Sequence, residues 1–171
     1  MSSLRFQQHL KALDLLAPVA VLEAATASQY IKVDQANWAT FMVTMGAAAT
    51  TSATDVITLT VQCSTSGTSN ASEVALPFKY RIGSKVGTDS MGEIADADTA
   101  GVAVSMDDTT GGSSALTFID VDPAIIPAYL SGGSYLRVVA TPSGSSDASI
   151  IIGVVGFLEP FYPGDSIPSA T

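Results

Sequence analysis

Histidine and cysteine each occur once in the 171 residues, and charged side chains make up only 13% of the chain. A single cysteine, Cys63, excludes an internal disulfide and a cysteine-based zinc site, both of which need more than one thiol. Cys63 lies in an alternating run on the same side as Ile57, Leu59 and Val61, so a buried thiol is expected there, with no histidine near it in sequence to activate it. The single histidine, His9, sits near the N-terminus, away from the strand-rich body, and leaves a serine or cysteine nucleophile without a general base. Gly164-Asp165-Ser166 has the start of an esterase block, but it neither follows an early strand nor precedes a distant histidine. No catalytic residues are assigned.

Positive charge is equally scarce. Seven Lys and Arg stand against 16 Asp and Glu, a formal net charge of −9, whereas a phosphate backbone is gripped by clustered cations. Gly83-Ser84-Lys85 lacks the spaced glycine of a phosphate loop. Neither direct nucleic-acid binding nor a nucleotide is expected. No apolar run reaches the roughly 18 residues of a membrane helix. The nearest candidate follows Arg5 and Lys11 and ends at Ala25-Thr26-Ala27 in the manner of a signal peptide, but Asp14, Pro18 and Glu23 interrupt it. Retention of this segment is expected, with no membrane partner.

Hydrophobic residues, by contrast, reach 47%, enough for one well-filled core in a chain of this length. With so few charges, much of the surface falls to Ser, Thr, Ala and Gly. Residues 3–17 place Phe6, Leu10, Leu13 and Ala17 at helical spacing behind a possible Ser cap, which predicts an N-terminal helix ended by Pro18. Strand patterns follow at 30–33, 41–45, 56–63, 78–82, 102–106 and 116–121, with Pro77 suggesting an edge position for the start of the 78–82 strand. Asp122-Pro123 predicts a short helix start. Residues 135–140 and 149–158, flanking a turn-rich stretch, read as a hairpin, and the second run is apolar at nearly every position, as a strand covered on both faces and central in its sheet would be.

The fold class expected is therefore all-β, an antiparallel β-sandwich or jelly-roll-like barrel with an N-terminal helix and an extended C-terminal tail. Residues 1–28 form the helical arm, 29–159 the sandwich domain, and 160–171 the tail. Asp96, Asp98 and Asp107 match some positions of a calcium loop, but Ala100 removes one ligand and the last is Asp in place of Glu. No metal or other cofactor is assigned. Trp38, Tyr80 and Tyr135 are the aromatics a carbohydrate-binding sandwich could use for stacking.

The order of these features, from the leading arm through the segment at 30–46, the strand at 56–63, Ile119-Asp120-Val121-Asp122 with its short turn, and the last strand ending in Leu158-Glu159-Pro160-Phe161, resembles the capsid decoration (cement) proteins of tailed bacteriophages. The resemblance implies a non-enzymatic virion protein, made in the host cytoplasm. Such a protein binds the outside of the capsid, with the major capsid protein as partner, and forms a homo-oligomer, a trimer being favoured. The alternatives are a tail, neck or fibre-head component of the same kind of particle, and the carbohydrate-binding module. Phe6, Leu10 and Leu13 in the arm and Phe161, Tyr162 and Ile167 in the tail are apolar residues that a single domain would leave uncovered. They are the candidate interface residues.

Overall fold

The computed structural model describes residues 10–21, 24–47, 56–68, 72–83, 91–105, 114–143 and 150–161. Among these residues the strands are, in order, β1 (Lys11–Val21), β2 (Thr26–Ala27), β3 (Ile31–Lys32), β4 (Ala36–Ala47), β5 (Val56–Ser64), β6 (Glu73–Leu76), β7 (Phe78–Gly83), β8 (Ala95–Ala97), β9 (Val102–Ser105), β10 (Ser114–Val121), β11 (Tyr135–Ser143) and β12 (Ile150–Pro160). A 3-10 turn (Pro123–Ile125) and one short helix, α1 (Ile126–Tyr129), separate β10 from β11.

The strands form two antiparallel sheets that enclose one core. One sheet has the order β1-β12-β4-β10-β7-β8, and the second has β2-β11-β5-β6 with β3 also on β11 and β9 on β5. Strand alternation decides what each sheet contributes. In β5 the residues Ile57, Leu59, Val61 and Cys63 are all fully buried, and Leu136 and Val138 of β11 join them from the same sheet. From the facing sheet come Phe41, Val43, Ile119, Ile152, Val154 and Leu158. Each large apolar side chain buried in this way stabilises by roughly 1.5 to 3 kcal/mol, so this layer is the main source of stability. Cys63 also donates to the Val74 carbonyl at 3.4 Å, and burial pushes its thiol pKa up, away from nucleophilic use.

Several expectations are corrected by pairing that is remote in sequence. Where the helix predicted over 3–17 is described it is a strand, Lys11–Val21, which pairs antiparallel with β12 and has register shifts between Asp14 and Leu16 and between Leu16 and Val19; residues 3–9 of the prediction lie outside the described residues. The first shift breaks the two-residue alternation, so that Leu13 and Ala17 fall at helical spacing within a strand. The hairpin is absent, because β11 belongs to the smaller sheet and β12 to the larger one. β12 does lie inside its sheet, between β1 and β4. It is not covered on both faces, however: Ile150, Ile152, Val154 and Leu158 point into the core while Ile151, 39% exposed, points away from it. β12 also takes in Pro160, the first residue of the expected tail, and pairs it with Ala36 after a register shift; residues 162–171 of that tail lie outside the described residues.

The strand that Pro77 precedes is not at a sheet edge: Pro77 is the single residue between Leu76, which ends the edge strand β6 of the smaller sheet, and Phe78, which begins β7 between β10 and β8 in the larger one. A residue without an N–H fits a corner where the chain leaves one ladder for another. The helix start is as expected: the Asp122 carboxylate accepts from the Ala124 N–H at 2.8 Å, with Pro123 at the first turn position.

Candidate functional site

Three features could carry function, and each is built by strand register. The densest polar cluster lies on the smaller sheet. Gln62 of β5 and Arg137 of β11 are direct cross-strand partners, out of phase with the buried Val61, Cys63, Leu136 and Val138. Arg137 Nε and Nη2 donate to Gln62 Oε1 at 2.9 and 2.8 Å, and Nη2 also donates to Glu73 Oε2 at 2.5 Å. The Tyr30 hydroxyl donates to the other Glu73 oxygen, and the guanidinium lies 4.8 Å from the centre of the Tyr30 ring. Burial, and then the hydrogen bond to Glu73, raise the Tyr30 pKa above its ordinary value. Both carboxylate oxygens are thus engaged, and the guanidinium is held on two sides. The cluster clips β5, β6, β11 and the Tyr30 segment together, leaving no acid or base aimed at an open cavity.

The second feature is at the end of the sandwich where β4 begins. A cleft of about 290 Å³ is lined by Trp38, Phe78, Lys79, Asp96, Asp120 and Ile125, among others. Its carboxylates are partnered: Asp120 accepts from the Thr40 hydroxyl at 2.6 Å and Asp96 pairs with Lys79 at 2.6 Å. Of the three possible stacking aromatics Trp38 lines this cleft. Tyr80 packs against the core, and Tyr135 is half-buried opposite Lys32 and Ser64. A neighbouring cleft of about 320 Å³ lies between Asp34, Pro123, Ile126 and Phe161. Asp98 accepts from the Ala100 N–H at 2.8 Å in a local turn, and Asp107 lies outside the described residues. Among the described residues no group of three or more His, Cys, Asp or Glu is placed to hold a metal ion.

The third feature is the outer face of the larger sheet. Directly paired residues share a face, so the register Asp14 to Val155, Val155 to Met42, Met42 to Phe118 and Phe118 to Arg81 describes one row running across β1, β12, β4, β10 and β7. Its three central side chains are apolar and half-buried, and its two ends are exposed charges of opposite sign. Leu116 and Ile151 extend the apolar surface toward one end of the strands. On the other side of the row, Thr40 with Asp120 and Lys79 with Asp96 make a polar border. Sequence reasoning missed this face, although alternation in 114–121 and in β4 carried the signal: Met42, Leu116 and Phe118 are the apolar residues out of phase with Phe41, Val43, Thr117 and Ile119.

The predicted interface residues divide. Leu13 packs against the core of its own sandwich and Leu10 is half-buried. Phe161 is 49% exposed, its N–H bonded to the Gln35 carbonyl at 3.0 Å. Phe6, Tyr162 and Ile167 lie outside the described residues. Lys11 at the start of β1 pairs with Leu158 near the end of β12, so the first and last described residues lie at the same end of the larger sheet. Among the described residues no helix is long and apolar enough to cross a membrane.

No protein-family model matches the sequence, and no curated protein matches it. Among solved structures, the chain is similar to one in the structure of infectious bursal disease virus Gx strain, at 9% identity and a TM-score of 0.24, over 89% of this chain and 40% of that one. The chain thus spans less than half the length of the chain it matches.

Proposed function

We propose that the protein is a non-enzymatic structural component of a bacteriophage particle, which binds the outer surface of the capsid and stabilises it through contacts with the major capsid protein and with its own copies. The observation that carries this reading is the outer face of the larger sheet. Val155, Met42 and Phe118 sit in the middle of a face pointing away from the core, where an isolated sandwich is served better by polar residues. Polar groups that could serve chemistry are tied to each other, Arg137 to Glu73 and Gln62, and Asp120 to Thr40. Leu10 and Phe161, at the two ends of the described residues, lie at the same end of the larger sheet, where one neighbour could cover both. The phage resemblance in the order of sequence features points the same way.

Sedimentation of purified protein with empty capsids tests the proposal. Saturable binding is expected, together with a rise in the temperature at which the shells open. Absence of binding to both expanded and unexpanded shells would refute it. A second reading, a carbohydrate-binding module, is favoured by Trp38 beside Lys79, Asp96 and Asp120 in the end cleft. A glycan array separates the two: reproducible glycan binding lost in Trp38→Ala would support the module, and no signal is expected.

A further inference from the structure

The outer row of the larger sheet has a symmetry that a random apolar patch lacks. Met42 is at its centre, and Asp14 and Arg81 stand the same two strand spacings away on opposite sides. With strands about 4.8 Å apart, each charge lies ~10 Å from the centre. Val155 and Phe118, one spacing out, are both apolar. Turning a second copy by half a turn about an axis parallel to the strands through Met42 exchanges the two halves of the row. It sets Asp14 of each copy opposite Arg81 of the other, Val155 opposite Phe118, and Met42 against its own equivalent.

We propose that the outer face of the larger sheet is a two-fold interface with a second copy of this chain, in which Asp14 of one copy pairs with Arg81 of the other around an apolar centre at Met42. Neither Asp14 nor Arg81 has an ion-pair partner among the described residues, whereas Lys79 on the same face is already paired with Asp96. Sheets packed face to face lie about 10 Å apart and cross at about 30°, which displaces groups at this radius by ~5 Å, within the reach of an arginine meeting a carboxylate. Pairing in both halves follows from the symmetry, since in a two-fold contact each residue meets its complement twice. The area is adequate for a specific contact. Four strand spacings by the eight residues of β10 cover ~19 by ~27 Å, so the pair buries about 1,000 Å², the lower bound for a specific interface. The bordering Thr40–Asp120 and Lys79–Asp96 pairs supply a polar rim on the β4, β10 and β7 side, while Phe157 and Ala12 continue the same row on β12 and β1. This contact does not depend on the capsid reading, since it concerns two copies of the free protein.

The test is a charge exchange read by analytical ultracentrifugation of the full chain over a wide concentration range. Wild type is expected to be a dimer. Asp14→Arg and Arg81→Asp should each weaken it by about tenfold or more, because each places like charges opposite one another twice. The double variant Asp14→Arg/Arg81→Asp restores opposite charges at both contacts, and should return the dissociation constant to within about threefold of wild type. Met42→Asp should give a monomer, and circular dichroism melts establish that each variant folds. The charge variants lie at exposed positions and decide the matter even if Met42→Asp does not fold. A wild-type monomer, a trimer, or a double variant no better than the single ones would overturn the proposal. Were a monomeric wild type to bind capsids and Met42→Asp to lose that binding, the face would belong to the shell instead.

Discussion

Replacing Glu73 by Ala is the most direct probe of how the smaller sheet is held. The side chains of Arg137 and Glu73 are 15% and 24% exposed, so the pair is largely shielded from solvent. Loss of Glu73 leaves the Tyr30 hydroxyl without its acceptor and the guanidinium without its counter-charge. Breaking a fully buried pair costs about 3 to 5 kcal/mol. Here Arg137 keeps both hydrogen bonds to Gln62 and its place against the Tyr30 ring, and some water reaches the site. A cost of about 2 to 3 kcal/mol follows, equal to a fall in Tm of about 4 to 12 °C for a chain of this length. Chemical denaturation and calorimetry measure it. Glu73→Gln keeps the shape and one acceptor oxygen but puts an amide NH2 in place of the other and removes the charge, and should cost about half as much. Adding Arg137→Met to Glu73→Ala removes the stranded guanidinium and should recover about 1 kcal/mol. If Glu73→Ala lies within about 0.5 kcal/mol of wild type, the cluster is an exposed ion pair of no consequence and the reasoning fails.

Tyr30 makes the same cluster sensitive to alkali. Its folded pKa lies above the ordinary 10.0, so the phenol proton favours the fold fully below pH 10.0, and this contribution is lost as pH rises through the higher folded value. Tyr30→Phe should therefore lose stability less steeply than wild type above pH 10.0, as followed by urea midpoints at each pH. Gly101 and Gly132 both have positive φ, +88° and +77°, but a Cβ on Gly101 would sit 2.3 Å from the Leu59 carbonyl oxygen while Gly132 is open. Gly132→Ala should cost about 1 kcal/mol from the backbone alone, and Gly101→Ala at least ~2 kcal/mol, both measured by urea denaturation. Thr117 is fully buried and its hydroxyl has no hydrogen-bond partner among the described residues, so Thr117→Val should stabilise by about 1 kcal/mol in calorimetry. Destabilisation would mean that the hydroxyl is satisfied in solution.

Local pattern by itself determined the β class, the buried face of β5 with Cys63 on it, the Asp122-Pro123 helix start and the interior position of β12 in its sheet. Each is a property of a few adjacent residues, because alternation and caps act over two to four positions. Only the tertiary structure decided which strands meet. β12 pairs with β1 and β4, each more than a hundred residues away, and β11 turns to β5 instead of to β12. The two runs that look like a hairpin satisfy their backbone hydrogen bonds elsewhere, and two strands joined by a long turn carry no local mark of that choice. For the same reason residues 11–17, helical by spacing, became a bulged edge strand once β12 was beside them. The Tyr30–Glu73–Arg137 clip depends on contacts between residues 43, 64 and 75 positions apart, and the row from Asp14 to Arg81 exists only in the register of five strands. Alternation puts Met42 and Phe118 out of phase with the buried residues of their strands, a signal that sequence reasoning did not use. That they stand side by side, with opposite charges equally spaced at the ends, is a consequence of strand order, which period-2 patterning does not encode.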